Sequence, residues 1–236
     1  MNIKIIYIVA ATLFLNSCQE LLFNDEEVTR DIPLDYFHAV KISGIYDIVF
    51  IQDSTNRLVI AGKNSVNAFN AEVKYDTLTL NDNKGLTLNT ERNRIELHFT
   101  NLDYLVTYDP VNFSTRGPIK TPSLLFEAIG EISEGKMTVE CDNLIVVNSA
   151  NTLGYMRFNG TSENCTFFIR YGGALFADSL FCKNAEVTTE SVGDIYVNAS
   201  ESVTASIRGP GNIFFYGNPV VTIAEKRGSG NVIRKN

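Results

Sequence analysis

From residue 36 onward the chain alternates. Thr77-Leu78-Thr79-Leu80 and Arg94-Ile95-Glu96-Leu97-His98-Phe99 place an apolar side chain at every second position. That period is the mark of a half-buried β-strand. Further runs at 36–42, 46–51, 57–60, 72–75 and 85–88 are just as short, and Asp, Asn, Gly or Ser bounds each. Only 64–69 could hold a helical turn, and no later stretch keeps a 3.6-residue apolar period. The pattern predicts an all-β protein.

A second, longer period lies over the first. Near the C-terminus a small-residue turn is followed three times by Asp or Asn and a branched apolar residue. These are Ser191-Val192-Gly193-Asp194-Ile195, Gly209-Pro210-Gly211-Asn212-Ile213 and Gly228-Ser229-Gly230-Asn231-Val232. A fixed step near 20 residues is the signature of a solenoid. Carried backward, the register predicts inward positions at Leu175, Leu153, Ile132 and Phe113, and an early member at Asp47-Ile48 with three coils between it and Phe113. The expected fold is a single-stranded, right-handed parallel β-helix of about 20 residues per coil. Ile132, Leu153, Leu175, Ile195, Ile213 and Val232 would form one inward ladder, and Val203, Ala205 and Ile207 would line the facing sheet. The turn glycines would supply positive φ. Residues 34–236 form the helix domain, with first strands at 34–110 and regular coils at 111–236.

The N-terminus follows a different logic. Lys4 precedes an almost wholly apolar stretch at 5–15, too short to span a bilayer and right for a signal peptide. It ends in Leu15-Asn16-Ser17-Cys18, which resembles the lipobox of bacterial lipoproteins. That resemblance implies a signal peptide at 1–17, acylation of Cys18 and a lipid anchor in the membrane. An ordinary secretory peptide is the alternative. Residues 18–33, with Glu20, Asp25, Glu26 and Glu27, read as a flexible acidic tether.

The formal net charge is −7, so no basic footprint points to nucleic acid. His38 and His98 have no ligand-type neighbour at metal spacing, so neither metal nor cofactor is expected. Cys141, Cys165 and Cys182 recur near the coil period. They read as buried thiols or as one disulfide. No catalytic set converges.

Two outward columns remain as candidates. A charged ladder would stack Arg170, Glu190, Arg208 and Arg227, preceded by Glu127 and Asn148. It reads as a solvated ion-pair column or as a groove for acidic sugars, with lyase-like proton abstraction as the enzymatic alternative. An aromatic row would stack Phe176, Tyr196 and Phe214 ahead of Ile233, with Tyr216 beside it. It reads as coil-to-coil stacking or as a contact surface for sugar or protein.

The closing motif 209–219, the Gly228-Ser229-Gly230-Asn231-Val232 turn, the opening 37–48 and the hairpin 72–80 resemble the head GIN domain family of auto-transporter adhesins of Bacteroidetes. The resemblance implies an exported lipoprotein of the outer membrane, at the cell surface or its periplasmic face, with a role in adhesion and no catalytic residues. A surface glycan or protein is the expected partner, and self-association is a further possibility. An envelope structural protein without a ligand is the remaining alternative.

Overall fold

An alternating strand buries its apolar face only if neighbours cover it, and here the neighbours are the chain's own earlier and later turns. The computed structural model describes residues 28–62, 69–82, 93–130, 132–149 and 154–236. Among them there is no helix, and the strands stack as a β-solenoid with a spacing of about 20 residues.

Three faces run along the solenoid. Face A stacks β6 (Thr77–Asp82), β2 (Ala39–Ser43), β8 (Tyr104–Thr107) and the second halves of β10 (Ile119–Ala128), β11 (Ile132–Asn148), β12 (Tyr155–Tyr171), β13 (Ala174–Ser191) and β14 (Ile195–Ile207). It ends at β16 (Val220–Lys226), and all these pairs are parallel. Face B stacks β7 (Asn93–Phe99), β3 (Tyr46–Gln52), β9 (Val111–Thr115), the starts of β11 to β14, β15 (Ile213–Tyr216) and β17 (Val232–Arg234). Face C is made by the middles of the long strands, where Thr121, Cys141, Ser162, Cys182 and Ala199 lie in register.

The ladders inside are continuous. On face B they run Ile95, Ile48, Phe113, Gly135, Met156, Leu175, Ile195, Ile213 and Val232. On face A, Val203, Ala205 and Ile207 are fully buried. The expected inward ladder is corrected in one stretch. Gly135 and Met156 occupy the rungs assigned to Ile132 and Leu153, so the register there lies three residues later. Ile132 pairs with Val111, and Leu153 lies outside the described residues. Gly135 earns its place by size, because the Phe113 ring fills the space a Cβ would need.

The coil order is also corrected. Asp47 lies directly beside Asn112, whose Nδ2 donates to Asp47 Oδ1 at 2.8 Å, so no coil stands between them. The intervening residues go the other way. β6 and β7 form a coil on the far side of β2 and β3. β4 (Arg57–Gly62) then pairs antiparallel with β7, β1 (Val28–Pro33) antiparallel with β4, and β5 (Phe69–Lys74) antiparallel with β6. Tyr75 and Asp76, both at positive φ, make the tight hairpin turn that this last pairing needs. Antiparallel strands thus close the N-terminal pole. Val28–Pro33, expected within the flexible tether, is one of them.

The turn glycines have a different reason from the expected one. Gly209, Gly211, Gly228 and Gly230 are not at positive φ. A Cβ on Gly230 would collide with the carbonyl oxygen of Gly211, and one on Gly211 with that of Gly193. Close stacking of successive turns, rather than φ, excludes a side chain here. The residue after each turn completes the join. Asp194 Oδ1 accepts the Asn212 backbone N–H at 2.9 Å, and Asn212 Oδ1 accepts that of Asn231 at 3.0 Å. At another corner Asn143, Asn164, Asn184 and Ser202 form a second side-chain ladder of hydrogen bonds.

Candidate functional site

Outward positions on face B form a column through Val49, Ser114, Lys136, Arg157, Phe176, Tyr196, Phe214 and Ile233. The rings of Phe176 and Tyr196 stack with centroids 5.1 Å apart, and those of Tyr196 and Phe214 at 4.8 Å, the repeat of the parallel sheet. Arg157 lies 4.7 Å over the free face of Phe176, and Lys235 lies 4.5 Å over that of Phe214. Every ring face in the stack is therefore occupied, and only ring edges meet solvent. Tyr216 sits one pleat further along, opposite Asn198.

Where the stack ends the surface becomes concave. Glu134, Lys136, Tyr155, Arg157 and Phe176 line a depression of about 400 Å³. It continues, through the shared Glu134 and Lys136, into one of about 280 Å³ bounded by Asp47, Val49, Asn112 and Ser114. Tyr155 is 39% exposed and meets Phe176 edge-on, with centroids 6.1 Å apart. A hydrogen bond to Glu134 pushes the Tyr155 hydroxyl above its ordinary range, so it stays protonated as a donor. Arg157 pairs with Asp178 at 3.5 Å. An aromatic edge, a guanidinium and an ammonium thus converge on one open trough. Lys136, Arg157, Tyr155 and Glu134 were not singled out in the sequence. The signal was present, since Lys136 and Arg157 share a column with Phe176, but it needed the corrected register.

The larger depression, about 640 Å³ on face C, is more open. Its lysines are paired across coils, Lys120 with Glu140 at 2.8 Å and Lys183 with Glu163 at 2.5 Å. It has no ring to lie against a ligand, so it is the weaker site.

On face A, Arg170, Glu190, Arg208 and Arg227 stand in one column. Glu190 bridges Arg170 at 3.3 Å and Arg208 at 3.0 Å. Glu225, which the sequence reading missed, bridges Arg208 at 2.7 Å and Arg227 at 2.5 Å. Glu127 and Asn148 do not belong. Asn148 faces inward beside Ala128 and is buried, whereas Glu127 accepts the Tyr104 hydroxyl at 2.6 Å. Burial and that carboxylate push Tyr104 up to about 12. Hydrogen bonds to Glu225 and Glu190 raise Arg208 further, which opposes the neutral form a proton-abstracting base needs.

Cys165 and Cys182 are buried free thiols, and Cys141 is half-buried. The contact with Cys182, reinforced by burial, pushes the Cys165 thiol up. His38 pairs with Asp103 at 2.7 Å and His98 with Asp53 at 2.9 Å. Among the described residues no cluster of three or more His, Cys, Asp or Glu could hold a metal ion, and no helix is long and apolar enough to cross a membrane. Cys18 lies outside the described residues.

The stacked coils, with antiparallel strands at the N-terminal pole and one aromatic, concave face, are the β-solenoid that the sequence predicts. The family comparison agrees: residues 36–219 match the family described as "Putative auto-transporter adhesin, head GIN domain", and the chain belongs to it. A structure titled as a putative adhesin from Bacteroides fragilis is 24% identical, covering 89% of this chain and 97% of its own, with a TM-score of 0.81. One titled as a putative lipid binding protein from Parabacteroides distasonis is 21% identical, covering 90% and 98%, with a TM-score of 0.68. A putative adhesin from Parabacteroides merdae is likewise 21% identical over 90% and 98%, at 0.66. These likenesses concern the fold. No curated protein matches the chain.

Proposed function

We propose that this chain is a non-catalytic, lipid-anchored adhesin of the outer membrane that binds acidic surface glycans in the face B trough. The observation that carries the reading is the convergence of Tyr155, Lys136 and Arg157 on one concave, solvent-open surface. Sugar rings are recognised by aromatic edges and faces together with directional donors, and carboxylate, sulfate or phosphate groups by a guanidinium fork or an ammonium. The stacked rings of Phe176, Tyr196 and Phe214 play a different part. They hold the trough wall rigid and fix Arg157 against Phe176.

Membrane attachment rests on Cys18 after the apolar stretch at 5–15. A Cys18→Ala chain should leave the membrane fraction, and continued attachment would remove the lipid anchor from the proposal.

Binding is tested on an array of neutral and acidic glycans with the full chain. Tyr155→Ala and Lys136→Ala should each weaken the acidic-glycan signal by about tenfold. Phe214→Ala, at the far end of the stack, should leave it within about twofold. Full binding by both trough variants, or loss only with Phe214→Ala, would sink the assignment to the trough.

A further inference from the structure

The two poles of the solenoid are unlike. At the N-terminal pole, β1, β4 and β5 add antiparallel strands beyond the first coil, and Leu58 and Ile60 of β4 are fully buried. At the C-terminal pole the ladders simply stop. Val221 and Ile223 stack on Val203 and Ala205 as the next inward rung, yet they are 38% and 52% exposed, whereas the rung below is fully buried. Among the described residues β16 pairs only with β14, so one backbone edge is open. An open edge beside an uncovered core is a template for one more strand.

The charge at this edge selects what can sit there. Lys226, Arg227, Arg234 and Lys235 are all exposed, and Glu225 is already held by Arg208 and Arg227. On a chain of net charge −7 this pole is locally cationic. Two such poles facing each other would repel, whereas an acidic strand would be attracted.

The chain carries a sequence of that chemistry. Leu21-Leu22-Phe23-Asn24-Asp25-Glu26-Glu27 has its apolar half first and its acidic half last. β16 has Val220 to Ile223 first and Lys226 last, with Arg227 directly after it. We propose that residues 21–27 of a second copy add as a parallel strand to the free edge of β16, supplying the missing rung. In that register Leu21 and Phe23 fall beside the inward Val221 and Ile223, and Glu26 and Glu27 fall beside Lys226 and Arg227. Asp25 opposite Glu225 is the single unfavourable pair, and the two guanidinia on Glu225 soften it. The segment cannot serve its own chain. It precedes β1 at the opposite pole, about 48 Å of stacked strands away, and seven residues reach roughly 25 Å. The contact is therefore head-to-tail, so assemblies grow with concentration rather than closing as dimers.

The test is sedimentation velocity on the full chain in detergent micelles, diluted through its association range. The parent should associate in steps with concentration. Phe23→Ser should raise the apparent dissociation constant about tenfold or more. Lys226→Glu and Glu26→Lys should each weaken association about threefold or more, and the combined Lys226→Glu, Glu26→Lys chain should recover it. That recovery separates contact from misfolding. A parent that stays monomeric up to about 100 µM overturns the proposal. So does association unchanged by Phe23→Ser, which would mean that the poles meet in another way. Failure of the combined variant to recover overturns the parallel register.

Discussion

Gly211→Ala isolates the claim that close stacking, not backbone dihedral, demands glycine in the turns. Gly211 sits between Gly193 below and Gly230 above, and its added Cβ would meet the Gly193 carbonyl oxygen well inside van der Waals contact. Relief requires the two turns to part by about 1 Å. The hydrogen bonds joining them would stretch with it. Gly211 N to Ser191 O and Ile195 N to Asn212 O are both 2.9 Å, and Arg208 N to Thr189 O is 2.8 Å. Near 3.9 Å these would no longer be hydrogen bonds. Two or three bonds at about 1 kcal/mol each give a loss of about 2–3 kcal/mol. For a chain of this size that is a drop in Tm of roughly 5–10 °C. Gly230→Ala provides the internal control. Its Cβ meets the Gly211 carbonyl in the same way, but among the described residues no coil lies above, so the last turn can lift. Its loss should be less than half as large. Thermal melting followed by strand circular dichroism reads both. If Gly211→Ala melts within about 2 °C of the parent, or if Gly230→Ala costs as much, the close-stacking argument is wrong.

The corrected register makes Met156 a core rung, so Met156→Ala should cost about 2–4 kcal/mol in chemical denaturation, and a loss below about 1 kcal/mol would refute that placement. Arg208→Ala should leave the denaturation midpoint close to the parent's despite its two carboxylate partners, because the column is exposed; a clear fall in the same assay would show the ladder to be structural. Hydrogen bonds depress the carboxyls of Asp53 (from Ser54, then His98), Glu96 (from Arg116) and Glu225 (from Arg208) below their ordinary 3.8, 4.5 and 4.5. Their contribution is complete above those values and is lost as the pH falls through the lowered ones. Tm should hold from pH 7 to 5 and fall below about 4, and a Tm independent of pH down to 2.5 would contradict the sign. Cys165, buried and pushed up, should react with a thiol reagent only on unfolding, as peptide mapping would show; prompt labelling in the native protein would mean that this corner opens.

Where the turns are Gly-rich the fold was legible from the residues. The Gly193, Gly211 and Gly230 turns recur beside an Asp or Asn, and that pair marks both a close approach and a backbone-bridging side chain, so rungs 175 to 232 fall where the period puts them. The same motif is missing before Gly135 and Met156. There the apolar pattern alone could not tell a rung at 132 from one at 135. The coil order was hidden for another reason. A solenoid period constrains neighbours in sequence, but nothing in Asp47-Ile48 says that the next residues will pack on its other side. The antiparallel cap is visible only through long-range pairing such as Arg57 with His98. Of the candidate site, the stack from Phe176 to Phe214 was legible because it lies in the regular coils. The trough was not, since reading Lys136 and Arg157 as members of that column depends on the shifted register.

That difference bears on where recognition can occur on a solenoid. Regular coils place like side chains 4.8 Å apart, close enough for rings to satisfy one another and for Arg and Glu to neutralise one another. The aromatic stack and the face A ladder are both outcomes of this self-satisfaction. A ligand needs groups whose partners are missing, and those arise where the repeat breaks. Across Ser114, Lys136, Arg157 and Phe176 the column passes from hydroxyl to ammonium to guanidinium to ring, so Lys136 meets a like charge on the next rung rather than a partner. The register shift between Ile132 and Glu134 that defeats the sequence pattern therefore lies beside the trough, which Glu134 lines. Restoring regularity should abolish binding without harming the fold. A Lys136→Tyr, Arg157→Tyr chain would extend the ring stack by two rungs; it should melt at or above the parent temperature and lose glycan binding. Retained binding in that chain would show that the trough's particular side chains are not what the ligand recognises.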